Sequence, residues 1–140
     1  MNFVPHVVAW NLTRRCNLEC AHCYIAAGPR ESAVSELETA QCLRIVDDLV
    51  ALNPAPLLIL SGGEPLLRDD LTDIARYASQ RGATVVVGTN GTLLTDGRIA
   101  ALGRARGTRR TACGTRRHRI SRRVSPPAAG GTAATSARSR

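Results

Sequence analysis

The chain has 140 residues, a formal net charge of +8, five cysteines and four aromatic residues, which bounds it to one modest domain and excludes a two-domain arrangement. All of its positive charge is arginine and is unevenly placed: residues 1–103 carry eight Arg against eleven Asp and Glu, whereas residues 104–140 carry eleven Arg and no acid. The basic balance is therefore a property of the final segment, and with no run of eighteen apolar residues and no signal-like opening, a cytoplasmic location without membrane contact is expected.

Val7-Val8-Ala9-Trp10-Asn11-Leu12 is short and mostly apolar, and polar Thr13-Arg14-Arg15 follows, which predicts a buried strand opening into a loop. That loop carries Cys16, Cys20 and Cys23. Ser35 with Glu38 three residues later makes a capping box, and Leu43, Val46, Leu49 and Val50 recur at helical spacing up to Asn53-Pro54, predicting the first helix. Leu57-Leu58-Ile59-Leu60 is a continuous apolar run, the pattern of a parallel strand covered on both faces, and it ends at Ser61-Gly62-Gly63-Glu64-Pro65. Asp69 and Asp70 suit the cap of a second helix, with Leu71, Ile74, Ala75 and Ala78 on one face and Gly82 to end it. Thr84-Val85-Val86-Val87-Gly88-Thr89 predicts a third strand running into Asn90-Gly91. A third helix then begins near Thr95 or Asp96 and includes Ile99, Ala100 and Leu102.

Strand and helix alternate three times, the signature of an α/β fold with a parallel sheet and right-handed crossovers. Chemistry in such folds collects at the carboxyl ends of strands, and the cysteine loop, the Gly-Gly-Glu-Pro turn and Thr89-Asn90-Gly91 all fall there. After Leu102 the pattern stops. Residues 104–140 have Ile120 and Val124 as their only large aliphatics, too little apolar surface to offset an ordering cost of about 1 to 2 kcal/mol per residue, so disorder is expected. The arginines would attract phosphates at low salt, yet no aromatic accompanies them for base stacking, so nucleic acid is not the expected partner. Dominance of Arg, Ala, Gly, Thr, Pro and Ser also fits GC-rich codons read out of register, which makes the tail a candidate frameshift product.

Cys16, Cys20 and Cys23 form C-x3-C-x2-C, and an odd cysteine count with three in eight residues argues for metal ligation rather than disulfides. A short loop leaving a parallel strand can wrap three thiolates around a soft centre such as a [4Fe-4S] cluster, leaving one iron open. The alternative is a structural zinc site completed by His22, His6 or Cys42, which with the tail would make a small zinc-binding module with a basic nucleic-acid-binding tail. Cys42 lies beside the apolar stripe and is expected in the core, Cys113 lies in the tail, and His6 and His118 have no evident partner. Thr89-Asn90-Gly91 is expected as a tight turn first and is not assigned to the site.

The run Cys16-Asn17-Leu18-Glu19-Cys20-Ala21-His22-Cys23-Tyr24, then Gly62-Gly63-Glu64-Pro65, then Thr89-Asn90-Gly91, in that order and at successive strand ends, resembles the radical S-adenosylmethionine (SAM) superfamily. The resemblance implies a partial parallel (β/α) barrel of about three βα units over residues 1–103, a truncated N-terminal half of the family's core domain, followed by the basic tail 104–140. It implies a [4Fe-4S] cluster held by Cys16, Cys20 and Cys23, whose open iron is chelated by the amine and carboxylate of SAM. One-electron reduction then breaks the C5′–S bond, and a 5′-deoxyadenosyl radical takes hydrogen from substrate. Gly62, Gly63 and Glu64 would line the SAM site, their backbone groups and the carboxylate accepting from the methionine ammonium, and His22 would lie beside the adenine where the family usually has an aromatic. The wording from Pro5 to Thr95 is most similar to haem-modifying and peptide-modifying members, implying a tetrapyrrole or peptide substrate and an electron donor such as a flavodoxin or ferredoxin. A complete barrel of that family has further βα units, so the chain is expected to be impaired or inactive, with the apolar edge Val85-Val86-Val87 unpaired.

Overall fold

In chain order the elements are β1 (Val7–Thr13), α1 (Thr39–Leu52), β2 (Leu57–Gly62), a 3-10 turn (Pro65–Leu67), α2 (Leu71–Gln80), β3 (Thr84–Gly88), α3 (Asp96–Arg104) and β4 (Ala112–Gly114). This is a computed structural model, and it describes residues 4–105 together with the backbone of 112–114. The strands lie side by side in the order β1-β2-β3-β4, every neighbouring pair parallel. Because spatial order follows chain order, every crossover advances the same way, and right-handed connections then lay the helices on one side of the sheet. On that side Leu58 and Leu60 of β2 and Val85 and Val87 of β3 are buried in one cluster with Val46, Leu71, Ile74, Ala75, Ala78 and Leu102. Each fully buried aliphatic side chain of this size contributes about 1.5 to 3 kcal/mol.

The opposite side is less covered. Leu57, Ile59, Thr84 and Val86 are half-buried and Val7 is exposed, so the expectation of a strand covered on both faces does not hold for β2 in this chain. The reason is the sequential strand order, which sends the helices to one face and leaves the other without a helical layer. Among the described residues no helix is long and apolar enough to cross a membrane.

Two helix starts differ from expectation. Helix α1 begins at Thr39 with Glu38 at the cap, whose N–H donates to Gln41 Oε1 at 2.8 Å, so the expected cap at Ser35 lies four residues outside the helix boundary. Glu36 is instead paired with arginines on two other segments, Arg15 and Arg68. Asp70 stands at the N-cap of α2, yet its carboxylate makes no capping bond because Arg68 and Thr39 occupy it. Helix α3 does start as expected, with the Thr95 hydroxyl accepting from Arg98 N at 3.3 Å.

The last difference concerns the tail and the sheet edge. Ala112–Gly114, within the segment expected to lack structure, forms β4 and pairs with Val86, Val87 and Gly88. The expectation of an unpaired edge at Val86 and Val87 is thereby corrected. A parallel edge offers backbone N–H and C=O groups that a short segment can pair regardless of its side chains, which is why a composition argument misses it. The expectations placed on Cys113 as a side chain, on His118 and on the rest of the arginine run lie outside the described residues.

Candidate functional site

The cysteine loop leaves the carboxyl end of β1 and is closed by backbone. Cys16 N donates to Gly28 O and Gly28 N to Arg14 O, both at 3.2 Å, so residues 16–28 form one loop with a pinched base. Inside it Cys23 N bonds to Cys20 O and Ala26 N to Cys23 O, and Ala26 takes a left-handed φ of 51° to turn the chain back. Cys16 is buried, Cys23 half-buried and Cys20 exposed, and all are free thiols. Two sulfurs already receive backbone donors, Leu18 N to Cys16 Sγ at 3.4 Å and Ala27 N to Cys23 Sγ at 3.3 Å. Donors aimed at sulfur suit electron-rich, metal-bound thiolates. Three thiols on one loop with one of them facing solvent fit a cubane, in which each thiolate reaches a different iron.

A single zinc ion fits less well. Among the described residues no three His, Cys, Asp or Glu side chains stand close enough to hold one ion. Of the fourth ligands considered, Cys42 is fully buried in the core, and His6 stands before the opposite end of β1, hydrogen-bonded at its ring to Asn53 Nδ2 at 3.4 Å. His22 is exposed on the cysteine loop itself.

The Gly-Gly-Glu-Pro turn packs directly on the exit of β1. A Cβ on Gly62 would lie 2.3 Å from Thr13 O and one on Gly63 2.3 Å from Arg15 O, and Gly62 has a φ of 134°. Gly63 N donates to Thr13 O and Glu64 N to Arg15 O, both at 2.8 Å, extending the pairing of the two strands beyond their regular ends. The paired glycines are thus required by backbone approach between the β1 and β2 exits. Glu64 is fully buried, and its carboxylate accepts from Leu66 N at 2.9 Å, from the Thr89 hydroxyl at 2.8 and 2.9 Å, and from Asn90 N at 2.8 Å. Internal donors engage both oxygens, so the side chain ties the turn after β2 to the end of β3.

Asn90 carries the connection to the third strand end. Its Oδ1 accepts from Thr92 N at 2.9 Å and from the Thr92 hydroxyl at 2.7 Å. Its Nδ2 donates to Asn17 Oδ1 at 2.9 Å and faces Cys16 Sγ at 3.8 Å. The cysteine loop, the glycine turn and the Thr89-Asn90-Gly91 turn therefore form one bonded unit at the carboxyl ends of β1, β2 and β3. Reading Asn90 as a turn residue missed this link, although its place at a strand exit was available as a signal.

Beneath the loop lies a charge cluster that sequence reasoning also missed. Arg15, adjacent to Cys16, grips Glu36 with Nε–Oε1 at 2.7 Å and Nη2–Oε2 at 3.0 Å, and the Thr13 hydroxyl donates to the same carboxylate. Arg68, whose side chain is 5% exposed, binds Asp70 at 2.7 and 2.9 Å, reaches Glu36 at 3.4 Å and donates to the carbonyls of Leu12 and Leu37 at 3.2 and 3.0 Å. Two arginines balance two carboxylates, which is what permits their burial. Burial alone would raise the Glu36 carboxyl, but the hydrogen bonds from Arg15 and Thr13 and the charges of both arginines outweigh it and hold it below the usual range. Asp70 follows the same logic, burial being outweighed by Arg68 and Thr39. Burial pushes the Cys42 thiol up, in keeping with a core residue.

The sequence profile of the radical SAM superfamily matches residues 10–112, spanning the cysteine loop and every element from β2 to α3. The chain belongs to the radical SAM superfamily. It is 47% identical over 88 residues to the Fe-coproporphyrin III synthase of Methanosarcina barkeri, covering 63% of this chain and 22% of that protein. It is 44% identical over 110 residues to the AdoMet-dependent heme synthase of the same organism, covering 79% of this chain and 31% of that protein. To the mycofactocin maturase MftC of Mycobacterium tuberculosis it is 37% identical over 91 residues, covering 65% of this chain and 22% of the relative. The chain therefore spans less than a third of the length of these radical SAM relatives. Among solved structures, BtrN in complex with AdoMet and 2-DOIA shares the fold with a TM-score of 0.60 at 22% identity, over 75% of this chain and 44% of that one.

Proposed function

We propose that this radical SAM chain binds a [4Fe-4S] cluster through Cys16, Cys20 and Cys23 and binds SAM beside it, in a cytoplasmic protein that modifies a tetrapyrrole or a peptide. The observation that carries the reading is the bonded unit just described, in which Glu64 and Asn90 join three motif-bearing strand ends around the cysteine loop. The cluster, when bound, supplies the electron for reductive cleavage of SAM, which yields a radical able to take hydrogen from a substrate. The chain's own residues hold and orient. Arg15 and Arg68, through Glu36, pin the base of the cysteine loop to the core, so the thiols are presented from a fixed frame. Gly62 and Gly63, packed against the exit of β1, would line the methionine end of SAM with their backbone groups. Glu64 would line the same site and accept from the methionine ammonium while bracing the turn, and exposed His22 is free to lie against the adenine.

The substrate class is supported by the names of the relatives, which are haem-pathway synthases and a peptide maturase. The electron is proposed to come from a flavodoxin or a ferredoxin. The zinc-module alternative is not favoured, because of its possible fourth ligands Cys42 is buried in the core and His6 is bonded to Asn53.

The test is anaerobic reconstitution of the full chain with iron and sulfide. The expected result is a brown protein with about four irons and an electron paramagnetic resonance signal of the reduced cluster that changes when SAM is added. Cys20→Ala should abolish iron uptake, whereas Cys42→Ser should keep it because Cys42 lies in the core. One bound zinc, no colour and indifference to SAM would sink the reading.

A further inference from the structure

We propose that Asn90 tunes the reduction potential of the cluster by donating a side-chain N–H to the Cys16 sulfur; this rests on the cluster assignment above. The amide has one workable orientation. Thr92 N and the Thr92 hydroxyl both donate to Asn90 Oδ1, so the NH2 end must point the other way. One of its hydrogens goes to Asn17 Oδ1 at 2.9 Å and the other faces Cys16 Sγ at 3.8 Å. The backbone is equally constrained, because Asn90 N is bound to buried Glu64 at 2.8 Å and Gly91 N to the Thr89 hydroxyl at 3.0 Å. A donor held this firmly, 74 residues away in the chain, is more than a turn residue.

The physical effect follows from charge. Adding one electron to the oxidised cluster, from dithionite in the assay or from the electron donor in the cell, increases negative charge on the ligating sulfurs. A donor to sulfur stabilises that reduced form more than the oxidised one and raises the potential. Cys16 would receive two such bonds, from Leu18 N and from Asn90, making it the most strongly polarised of the three ligands by the bonds seen among the described residues.

The experiment is a potentiometric titration, followed by electron paramagnetic resonance, of the reconstituted full chain and of Asn90→Leu and Asn90→Asp. Asn90→Leu removes the donor without adding charge; Asn90→Asp keeps the acceptor that Thr92 grips. Both are expected to show about a tenfold lower ratio of reduced to oxidised cluster at a fixed potential, which is about 59 mV for one electron. An iron-loaded Asn90→Leu with the wild-type midpoint overturns the proposal while leaving the cluster reading intact, and a shift in Asn90→Asp alone does the same, since it reports added charge. A wild-type chain that takes up no iron overturns both. Should the variants fail to hold iron, wild-type protein labelled with 15N only at asparagine side-chain amides decides the matter. A nitrogen coupling to the reduced cluster in pulsed spectra supports the bond, and its absence overturns it.

Discussion

Replacing Glu64 by Gln would test whether the strand-end unit holds the fold together. The carboxylate is fully buried and accepts from three donors: Leu66 N, the Thr89 hydroxyl and Asn90 N. A glutamine keeps one acceptor oxygen and puts an NH2 group where the other oxygen stood. Whichever way the amide turns, it meets a backbone N–H, either that of Leu66 or that of Asn90. One charge-assisted bond of about 1.5 to 3 kcal/mol is lost, and a buried donor left without an acceptor costs a further 1 to 3, roughly. The expected destabilisation is about 3 to 5 kcal/mol, a large part of the roughly 5 to 15 kcal/mol that holds a domain folded. Urea unfolding of the full chain, followed by circular dichroism, reads it directly. With a slope of about 1 to 3 kcal/mol per molar urea, the midpoint should fall by at least about 1 M. In a double-mutant cycle with Thr89→Val the two losses should be less than additive, because they break the same bonds. A midpoint change equivalent to less than about 1 kcal/mol would refute the reasoning, since the network would then carry no more than an ordinary surface contact.

The glycines give a second test: Gly62→Ala and Gly63→Ala each force a Cβ to 2.3 Å from backbone oxygen, with an expected loss of about 2 to 5 kcal/mol, whereas Gly28→Ala meets nothing within 4 Å and should leave the urea midpoint nearly unchanged. Acid should also weaken the fold in a defined window. Glu36 and Asp70 have folded values below their ordinary 4.5 and 3.8, so the unfolded chain takes up protons first as pH falls through those values. Their contribution, fully present above them, is lost progressively until the folded carboxyls protonate. Urea midpoints measured from pH 6 downwards should decline through that range, and Glu36→Gln should show a shallower decline; equal slopes for the two proteins would contradict the assignment.

What depends on near neighbours is legible along the chain. Three strands and three helices follow from apolar runs and helical spacing, as in Leu57-Leu58-Ile59-Leu60 and in Leu71, Ile74, Ala75 and Ala78. The C-x3-C-x2-C spacing, with Gly62-Gly63 and Thr89-Asn90-Gly91 at later strand exits, was sufficient to indicate the superfamily. Whatever joins residues remote in the chain waits on the packing of the strands. Glu36 leaves the first helix because Arg15 and Arg68 meet it there, and Asp70 abandons its capping bond for Arg68. Glu64 turns inward because β3 brings Thr89 and Asn90 beside it, and Asn90 reaches Cys16 because the loop after β1 extends across the end of β2 to that of β3. Ala112–Gly114 becomes a strand because β3 presents an open edge. Periodicity is a local property of the chain and can be read along it; a hydrogen bond across 25 or 74 residues exists only once the order of strands in the sheet is set.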